Sequence, residues 1–185
     1  MIDPFAVRLD LEQGTLAPLP ERVVRRLSDL RGLVANEQLL DRELAKGDPI
    51  IYEVLKLAIP QEQGQLFINV TFLRAGRIGR EYYFTKGHFH VNEKAAEVYL
   101  GLRGHGVLLL RKEANTRVVE MDRGTLIYIP PGWGHRTVNV SQETLVFLSI
   151  YPADAGHDYE RVRLEGMGTR VFATVDGTGY EAVTS

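Results

Sequence analysis

The stretch GTLIYIPPGWGHRTVNV, residues 124–140, decides the fold of this chain. An apolar strand, TLIYI, enters a turn at Pro130-Pro131-Gly132, and a return strand begins at His135. At average Gly and Pro frequencies, the fixed spacing of Gly124, Pro130, Gly132, His135 and Asn139 would arise by chance in roughly one chain of this size per 10⁴. The stretch therefore predicts a tight hairpin that presents a histidine at the start of a strand.

Three further metal-ligand side chains precede this hairpin. His88 and His90 are two residues apart on a predicted strand, so their side chains leave the same face, and Glu97 opens the next strand, EVYLGL. With His135 they offer three nitrogens and one oxygen, a set that suits Fe, Mn, Ni, Co or Zn. The chain has no cysteine, on which closed structural zinc sites usually depend. The pattern therefore favours an open, catalytic metal site.

The strands on either side of these residues define the fold class. After Pro49 the sequence consists of short runs rich in β-branched and aromatic residues, separated by Gly, Asn or Asp. Such close spacing predicts an antiparallel sandwich or barrel, because parallel strands need longer crossovers. The runs are IIYEVLKL, LFINVTFLR, REYYFTKGHFH, EVYLGLRG, VLLLRK, RVVEM, TLIYIP, HRTVNV and TLVFLSIY, with a last hairpin around Asp176-Gly177.

The N-terminal part has a different pattern. Residues 1–20, with prolines at positions 4, 18 and 20, predict an extended arm. Helical spacing in ERVVRRLSDLRGLV (21–34) and NEQLLDRELAKGD (36–48) predicts two short helices. We expect one domain over residues 1–185, with an arm and helices (1–48), a metal-binding barrel (49–152) and a C-terminal extension (153–185).

Composition excludes several classes of function. The net charge of -2 and the absence of basic runs argue against binding to nucleic acid. No segment approaches the roughly 18 apolar residues of a membrane span, and the N-terminus does not resemble a signal peptide. We therefore expect no membrane association and a cytoplasmic location.

Two levels of resemblance follow from these motifs. Residues 124–139 match the second cupin motif at every fixed position, and His88-x-His90 with Glu97-x6-Gly104 match the first in part. In the first motif, six residues separate His90 from Glu97 where three or four are usual, and Tyr82 stands where a glycine is expected. Together with VRRLSD, DPIIYEV, FTKGHFH, AEVY and YPADAGHDY, the chain closely resembles the archaeal cupin-type phosphoglucose isomerases.

This resemblance implies an all-β fold, a jelly-roll-like cupin barrel with short N-terminal helices, and a homodimer. It implies reversible conversion of glucose 6-phosphate to fructose 6-phosphate, with one divalent metal ion per subunit, Fe(II) before Mn, Ni, Co or Zn. Glu97 would be both ligand and base, although a metal-assisted hydride shift stays open, since a bound carboxylate is a weaker base. The implied sugar-phosphate pocket contains Tyr52, Thr71, Thr85, Gly87, Tyr99, Tyr151, His157 and Tyr159.

The phosphate would be held without a P-loop or an arginine cluster, so hydroxyls and backbone amides must bind it. Thr85 and His88 have opposite strand parity, and both can face one lumen only if the backbone bends between them. Gly87 is placed to supply that bend as a bulge. Lys86 and His105 are expected to be solvated.

Two other functions fit the same motifs. An Fe(II)-dependent cupin dioxygenase uses a similar ligand set but usually an apolar substrate wall, which the Thr and Tyr hydroxyls argue against. A non-catalytic metal- or sugar-binding cupin would hold an inert metal. Cupins perform many reactions, so the fold alone does not choose among these functions.

Overall fold

The computed structural model describes residues 3–17 and 20–184, so Pro18 of the predicted arm lies outside the described residues. Within these ranges the chain forms two α-helices, α1 (Glu37–Leu44) and α2 (Tyr159–Glu165), and fifteen β-strands. The strands are β1 (Arg8–Leu9), β2 (Leu16–Ala17), β3 (Glu21–Arg26), β4 (Ile50–Lys56), β5 (Leu66–Leu73), β6 (Arg77–Ile78), β7 (Glu81–Tyr82), β8 (Glu97–Arg103), β9 (Gly106–Lys112), β10 (Asn115–Met121), β11 (Leu126–Ile129), β12 (Gly134–Asn139), β13 (Leu145–Pro152), β14 (Thr169–Ala173) and β15 (Tyr180–Thr184). The protein is mostly β, as predicted.

The largest sheet has six antiparallel strands in the order β11-β8-β13-β5-β4-β3. Residues directly opposite one another share a face of the sheet, so cross-strand pairs mark which side chains lie together. Val54 is opposite Thr71, and Thr71 is opposite Phe147. One face of this sheet turns inward and carries most of the polar residues discussed below.

A second sheet, β10-β9-β12, faces the first across the main apolar core. Isolated bridges Phe84↔Val138 and His88↔His135 attach the segment after β7 to β12. The core between the sheets includes Leu73, Leu109, Ile129, Val138 and Phe147. Within the described ranges the hydrogen-bonded strands form separate sheets, and the two main sheets face each other. This is the jelly-roll form of the predicted cupin fold.

The N-terminal arm covers the outer face of the six-stranded sheet. Its strands β1 and β2 pair with each other, and Leu16 is buried against Val70 and Val146. Gly14 has φ +74°, and a Cβ at this position would lie 2.5 Å from Cγ1 of Val146. The arm therefore approaches the sheet too closely for any larger residue there.

The first predicted helix, residues 21–34, was wrong over its first part. Glu21–Arg26 form β3, which pairs with β4 along six residues, and the only helical part of 21–34 is the 3₁₀ helix Leu27–Leu30. That turn buries Leu27 and Leu30, the residues whose spacing suggested a helix. The β-branched Val23 and Val24 fit a strand once a partner strand is present. Pairing with β4, which is distant in sequence, thus overrides the local periodicity.

Of the remaining elements, helix α1 and the C-terminal hairpin were predicted from the sequence and helix α2 was not. Helix α1 begins after Asn36, whose side chain accepts a hydrogen bond from the backbone N–H of Leu39, as the second predicted helix requires. Helix α2, capped by Asp158, was not predicted. β14 and β15 form the predicted hairpin around Asp176-Gly177. Neither α-helix within residues 3–17 and 20–184 is long and apolar enough to cross a bilayer.

Candidate metal centre

Four side chains from three parts of the fold converge between the sheets. One ligand atom from each of His88, His90, Glu97 and His135 lies within 4.8 Å of the others. Glu97 is the first residue of β8, and His135 is the second residue of β12. His88 bridges to His135 through backbone hydrogen bonds in both directions. The Pro/Gly turn and the two strand starts therefore deliver the predicted ligands to one place.

Backbone carbonyls orient two of these histidines. Nδ1 of His90 lies 3.1 Å from the carbonyl oxygen of Ala95, and Nδ1 of His135 lies 3.3 Å from that of Trp133. With Nδ1–H donating to a carbonyl, Nε2 is left unprotonated and available to a cation. Both Nε2 atoms approach Oε2 of Glu97, at 3.2 Å for His90 and 2.9 Å for His135.

The donor atoms fit a divalent cation. Among residues 3–17 and 20–184, Nε2 of His88 and Nε2 of His135 are buried without a hydrogen-bond partner. The contact of His135 with Glu97, at 2.9 Å, lacks hydrogen-bond alignment. Buried nitrogens without partners are rare in folded proteins, because they lose hydrogen bonds to water and gain none in the protein. A cation coordinated by three imidazoles and one carboxylate satisfies them together.

The charges at the cluster also suit a cation. Burial raises the pKa of Glu97, but His135 and His90 outweigh burial and hold this pKa below its ordinary value. Burial, together with His135 and His157, holds the pKa of His88 well below that of a free histidine. Glu97 is therefore ionised and His88 neutral near neutral pH, the protonation states that metal binding requires. At His90 burial is outweighed by Glu97, which raises the pKa of that imidazole, so a bound cation would displace a proton there.

A cavity of about 230 Å³ lies against the cluster. His88, Glu97 and His135 form part of its wall. All eight residues predicted for the sugar-phosphate pocket also line it: Tyr52, Thr71, Thr85, Gly87, Tyr99, Tyr151, His157 and Tyr159. The structure thus brings the whole predicted pocket together with the predicted metal ligands.

The titratable groups of this wall are mostly neutral. Burial raises the pKa of Tyr52 to about 12 and also raises the pKa of Tyr151, so both keep their hydroxyl protons. Burial lowers the pKa of His157 to about 4, which leaves its imidazole uncharged at pH 7. Nδ2 of Asn69 donates to the Tyr151 hydroxyl over 2.9 Å, while Oδ1 of Asn69 is buried without a partner. The wall offers donors and acceptors suited to sugar hydroxyls.

Sequence reasoning missed seven residues of the cavity wall: Val23, Arg25, Val54, Lys56, Asn69, Phe147 and Ser149. Two of them, Arg25 and Lys56, are cations. Strand alternation could have found most of the seven, because Lys56 has the parity of Tyr52 and Asn69 has the parity of Thr71. In the part of the chain that the structure describes, the wall contains a single arginine, Arg25, rather than an arginine cluster.

The bend predicted at Gly87 is present. Gly87 has φ +73°, and Thr85 and His88 both line the cavity despite their opposite strand parity. His105 lies elsewhere, with Nδ1 2.6 Å from Oδ1 of Asp122 on the surface. Lys86 lines a neighbouring, smaller cavity with Asp29 and Tyr159.

Facing antiparallel sheets with three histidines and a glutamate between them define the chain as a cupin with a metal-type centre. The chain belongs to the glucose-6-phosphate isomerase (GPI) family, whose model matches residues 24–182. A glucose-6-phosphate isomerase of Thermococcus onnurineus (strain NA1) is 43% identical over 170 residues, covering 91% of this chain and 89% of that protein. Its counterpart in Thermococcus gammatolerans is 44% identical with the same coverage. One solved oxalate oxidase structure aligns with a TM-score of 0.49 at 12% identity, over 60% of this chain and 56% of the other.

Proposed function

We propose that this chain is an enzyme that interconverts glucose 6-phosphate and fructose 6-phosphate, a step of glycolysis and gluconeogenesis. The observation that carries the proposal is the family match across residues 24–182, combined with a polar cavity that ends on the metal-type cluster. Relatives at 42–44% identity named glucose-6-phosphate isomerase support it.

The cluster defines the reacting end of the cavity. A divalent cation held by His88, His90, Glu97 and His135 would supply Lewis acidity for the carbonyl and hydroxyl at C1 and C2. We propose that Glu97 also moves the proton between these carbons, because its carboxylate is ionised and borders the cavity. Tyr99 lies two residues along β8 and lines the same wall.

The substrate also needs a site for its phosphate dianion, away from the metal ligands. Arg25 and Lys56 supply positive charge to the cavity wall, and the hydroxyls of Tyr52, Thr71 and Thr85 supply uncharged donors. Charge-assisted hydrogen bonds to a phosphate are about twice as strong as neutral ones. We propose that these groups hold the phosphate, and that Tyr151, His157, Tyr159 and Oδ1 of Asn69 contact the sugar hydroxyls.

An assay of the purified, metal-loaded protein tests this function. Glucose 6-phosphate is expected to form fructose 6-phosphate without consuming oxygen, measured by a coupled enzyme in an anaerobic cuvette. Oxygen consumption without isomerisation would instead indicate the cupin dioxygenase. Binding of sugar phosphate without turnover of either kind would indicate a non-catalytic cupin.

Four finer properties complete the proposal. We propose one Fe(II) ion per subunit, with Mn, Ni, Co or Zn as alternatives, because the nitrogen and oxygen donors accept all of these ions. We propose a cytoplasmic homodimer, in line with the frequency of two-fold oligomers. We propose one domain over residues 1–185, which the pairing of β14 with β7 and the packing of the arm on the sheet support. Elemental analysis of natively purified protein and light scattering test the metal and the dimer.

Thr85→Val is expected to weaken binding of the phosphate while leaving the metal in place. A lost hydrogen bond to a charged group is worth about 1.5 to 3 kcal/mol, or on the order of 10- to 150-fold in kcat/KM. The measurement is KM for glucose 6-phosphate, together with inhibition by inorganic phosphate and the metal content. Part of the loss is expected in kcat, because phosphate binding also positions C1 and C2.

Thr85→Ser is the matched control for that variant. The Thr85 hydroxyl also accepts the N–H of Thr137 over 3.0 Å, and serine keeps both this contact and the donor. The serine variant should remain within a few-fold of the parent. If Thr85→Val also retains the parent's KM and its inhibition by phosphate, the phosphate site lies elsewhere.

A further inference from the structure

The segment from Thr85 to His88 forms a bulge against β12. The N–H of Thr85 donates to the Thr137 carbonyl over 2.9 Å, and the N–H of His88 donates to the His135 carbonyl over 3.1 Å. Two residues, Lys86 and Gly87, therefore stand opposite the single residue Arg136. A bulge of this kind re-aims backbone groups that a regular ladder would pair.

Arg136 holds the middle of this bulge from behind. Its Nε and Nη2 both donate to the Lys86 carbonyl, at 3.3 Å and 2.9 Å. The side chain is only 5% exposed, and its guanidinium lies 4.5 Å from the centre of the Phe84 ring. Arg136 does not line the substrate cavity but borders a small cavity on its other side, with Arg170. Its contact with the wall of the substrate cavity is made through the Lys86 carbonyl.

The hydrogen bonds from Arg136 also fix the orientation of the Lys86–Gly87 peptide. In a trans peptide the C=O and the following N–H point in opposite directions. Because the Lys86 carbonyl points to Arg136, the N–H of Gly87 points away from Arg136. On that side Gly87 borders both the substrate cavity and the smaller cavity lined by Asp29 and Glu160. Within the described ranges this N–H makes no backbone hydrogen bond. The Gly87 N–H is therefore a hydrogen-bond donor in the cavity wall that is available to a ligand.

We propose that Arg136 is a positioning residue that fixes the Gly87 amide as a donor to the substrate phosphate. This inference rests on the proposed isomerase function and adds a residue outside the cavity to it. The two hydrogen bonds from a cation to the carbonyl also polarise the peptide, which strengthens the N–H as a donor.

Close packing makes the arrangement specific to glycine. A Cβ on Gly87 would lie 2.9 Å from the His135 carbonyl oxygen and 3.0 Å from Cβ of Arg136, and φ is +73°. The peptide therefore rests directly on residues 135 and 136.

Arg136→Met tests the inference, since methionine fills space without donating. We expect KM for glucose 6-phosphate and the inhibition constant of inorganic phosphate each to rise on the order of 10-fold, the loss of one charge-assisted contact. Metal content should equal that of the parent. Arg136→Lys keeps the charge but not the two-point hold, so its inhibition constant should lie between those of the parent and the methionine variant.

Arg170→Lys is the matched control, because it borders the same small cavity and contacts Glu81 and Leu33 rather than the bulge. It should change the melting temperature only, with the phosphate inhibition constant at the parent's value. Folded Arg136 variants that retain the parent's phosphate inhibition would overturn the inference. If Arg136 had a purely structural role, its variants would have a lower melting temperature, and KM and metal content would change together.

A measurement on the parent protein decides the matter even where a variant does not fold. In zinc-loaded protein labelled with ¹⁵N-glycine, the Gly87 amide resonance should shift when inorganic phosphate is added. An unmoved Gly87 resonance, with phosphate inhibiting normally, rejects the role of this amide and hence of Arg136. A parent protein that neither isomerises nor binds phosphate rejects the proposed function instead.

Discussion

His135→Ala is expected to remove most of the bound metal and to lower kcat/KM by more than about 100-fold. Losing an outer partner of a metal ligand already costs roughly 10- to 100-fold in affinity or activity, and His135 is itself a ligand. It is the one member of the set that β12 contributes, and its side chain is buried.

Metal analysis and the isomerase assay on the same preparation measure this effect. His105→Ala is the matched control, because it removes a histidine that pairs with Asp122 on the surface, away from the cluster. The control should keep its metal and its turnover. A folded His135→Ala protein with stoichiometric metal and full activity would refute the ligand set at the position where the sequence motif is strongest.

The metal ligands could be predicted because their signal is local. His135 follows a Pro/Gly turn and Glu97 opens β8, so short-range rules placed both. His88 and His90 do not lie on the predicted strand: the segment between β7 and β8 is irregular, and His88 meets β12 only through an isolated bridge. Their convergence was harder to predict, since it depends on how separate strands pack. The resemblance to a known family provided that information, and the structure places the ligand atoms within 4.8 Å of one another.

The errors arose where distant pairing decides the conformation. Residues 21–26 have a helical pattern of apolar side chains, yet they form β3 because β4 offers a hydrogen-bonding edge. The same error hid Val23 and Arg25, which face the cavity only when the segment is a strand. A sequence window around these residues contains no information about the edge of β4.

The missed wall residues on correctly predicted strands have a different cause. Tyr52, Val54 and Lys56 alternate along β4 and all line the cavity, although only the tyrosine was selected. Asn69 is opposite Ser149 and Lys56 is opposite Asn69, so one row of the sheet carries all three. Once one residue of a strand is assigned to the lumen, its i±2 neighbours belong to the same face. Period-two alternation along β4 therefore predicts Val54 and Lys56 on the wall once Tyr52 is placed there.

Glu97→Gln is expected to lower kcat by more than about 100-fold while the fold survives. Glutamine keeps the size of the side chain but removes the negative charge from the cluster and any capacity to take a proton. General base catalysis alone contributes typically 10²- to 10⁴-fold. The loss of charge should also weaken metal binding, so turnover must be expressed per bound metal ion.

Melting temperature, metal content and kcat of this variant separate folding from chemistry. Glu81→Gln is the matched control, because Glu81 is also a buried glutamate but pairs with Arg170 outside the cavity. The control should lose stability and retain kcat. Near-normal turnover by a folded, metal-loaded Glu97→Gln protein would remove Glu97 from the mechanism.

The same residue allows the two chemical routes to be distinguished. The pKa of Glu97 is held low by His135 and His90, which keeps the carboxylate ionised but makes it a weaker base. If Glu97 carries the proton, the parent enzyme working in D₂O should place deuterium at C1 or C2 of the product, since a carboxylic acid exchanges with solvent. A hydride shift leaves both carbons unlabelled. Unlabelled product, together with a large loss of kcat in Glu97→Gln, would restrict Glu97 to the role of an anionic ligand, whereas labelled product assigns the proton transfer to it.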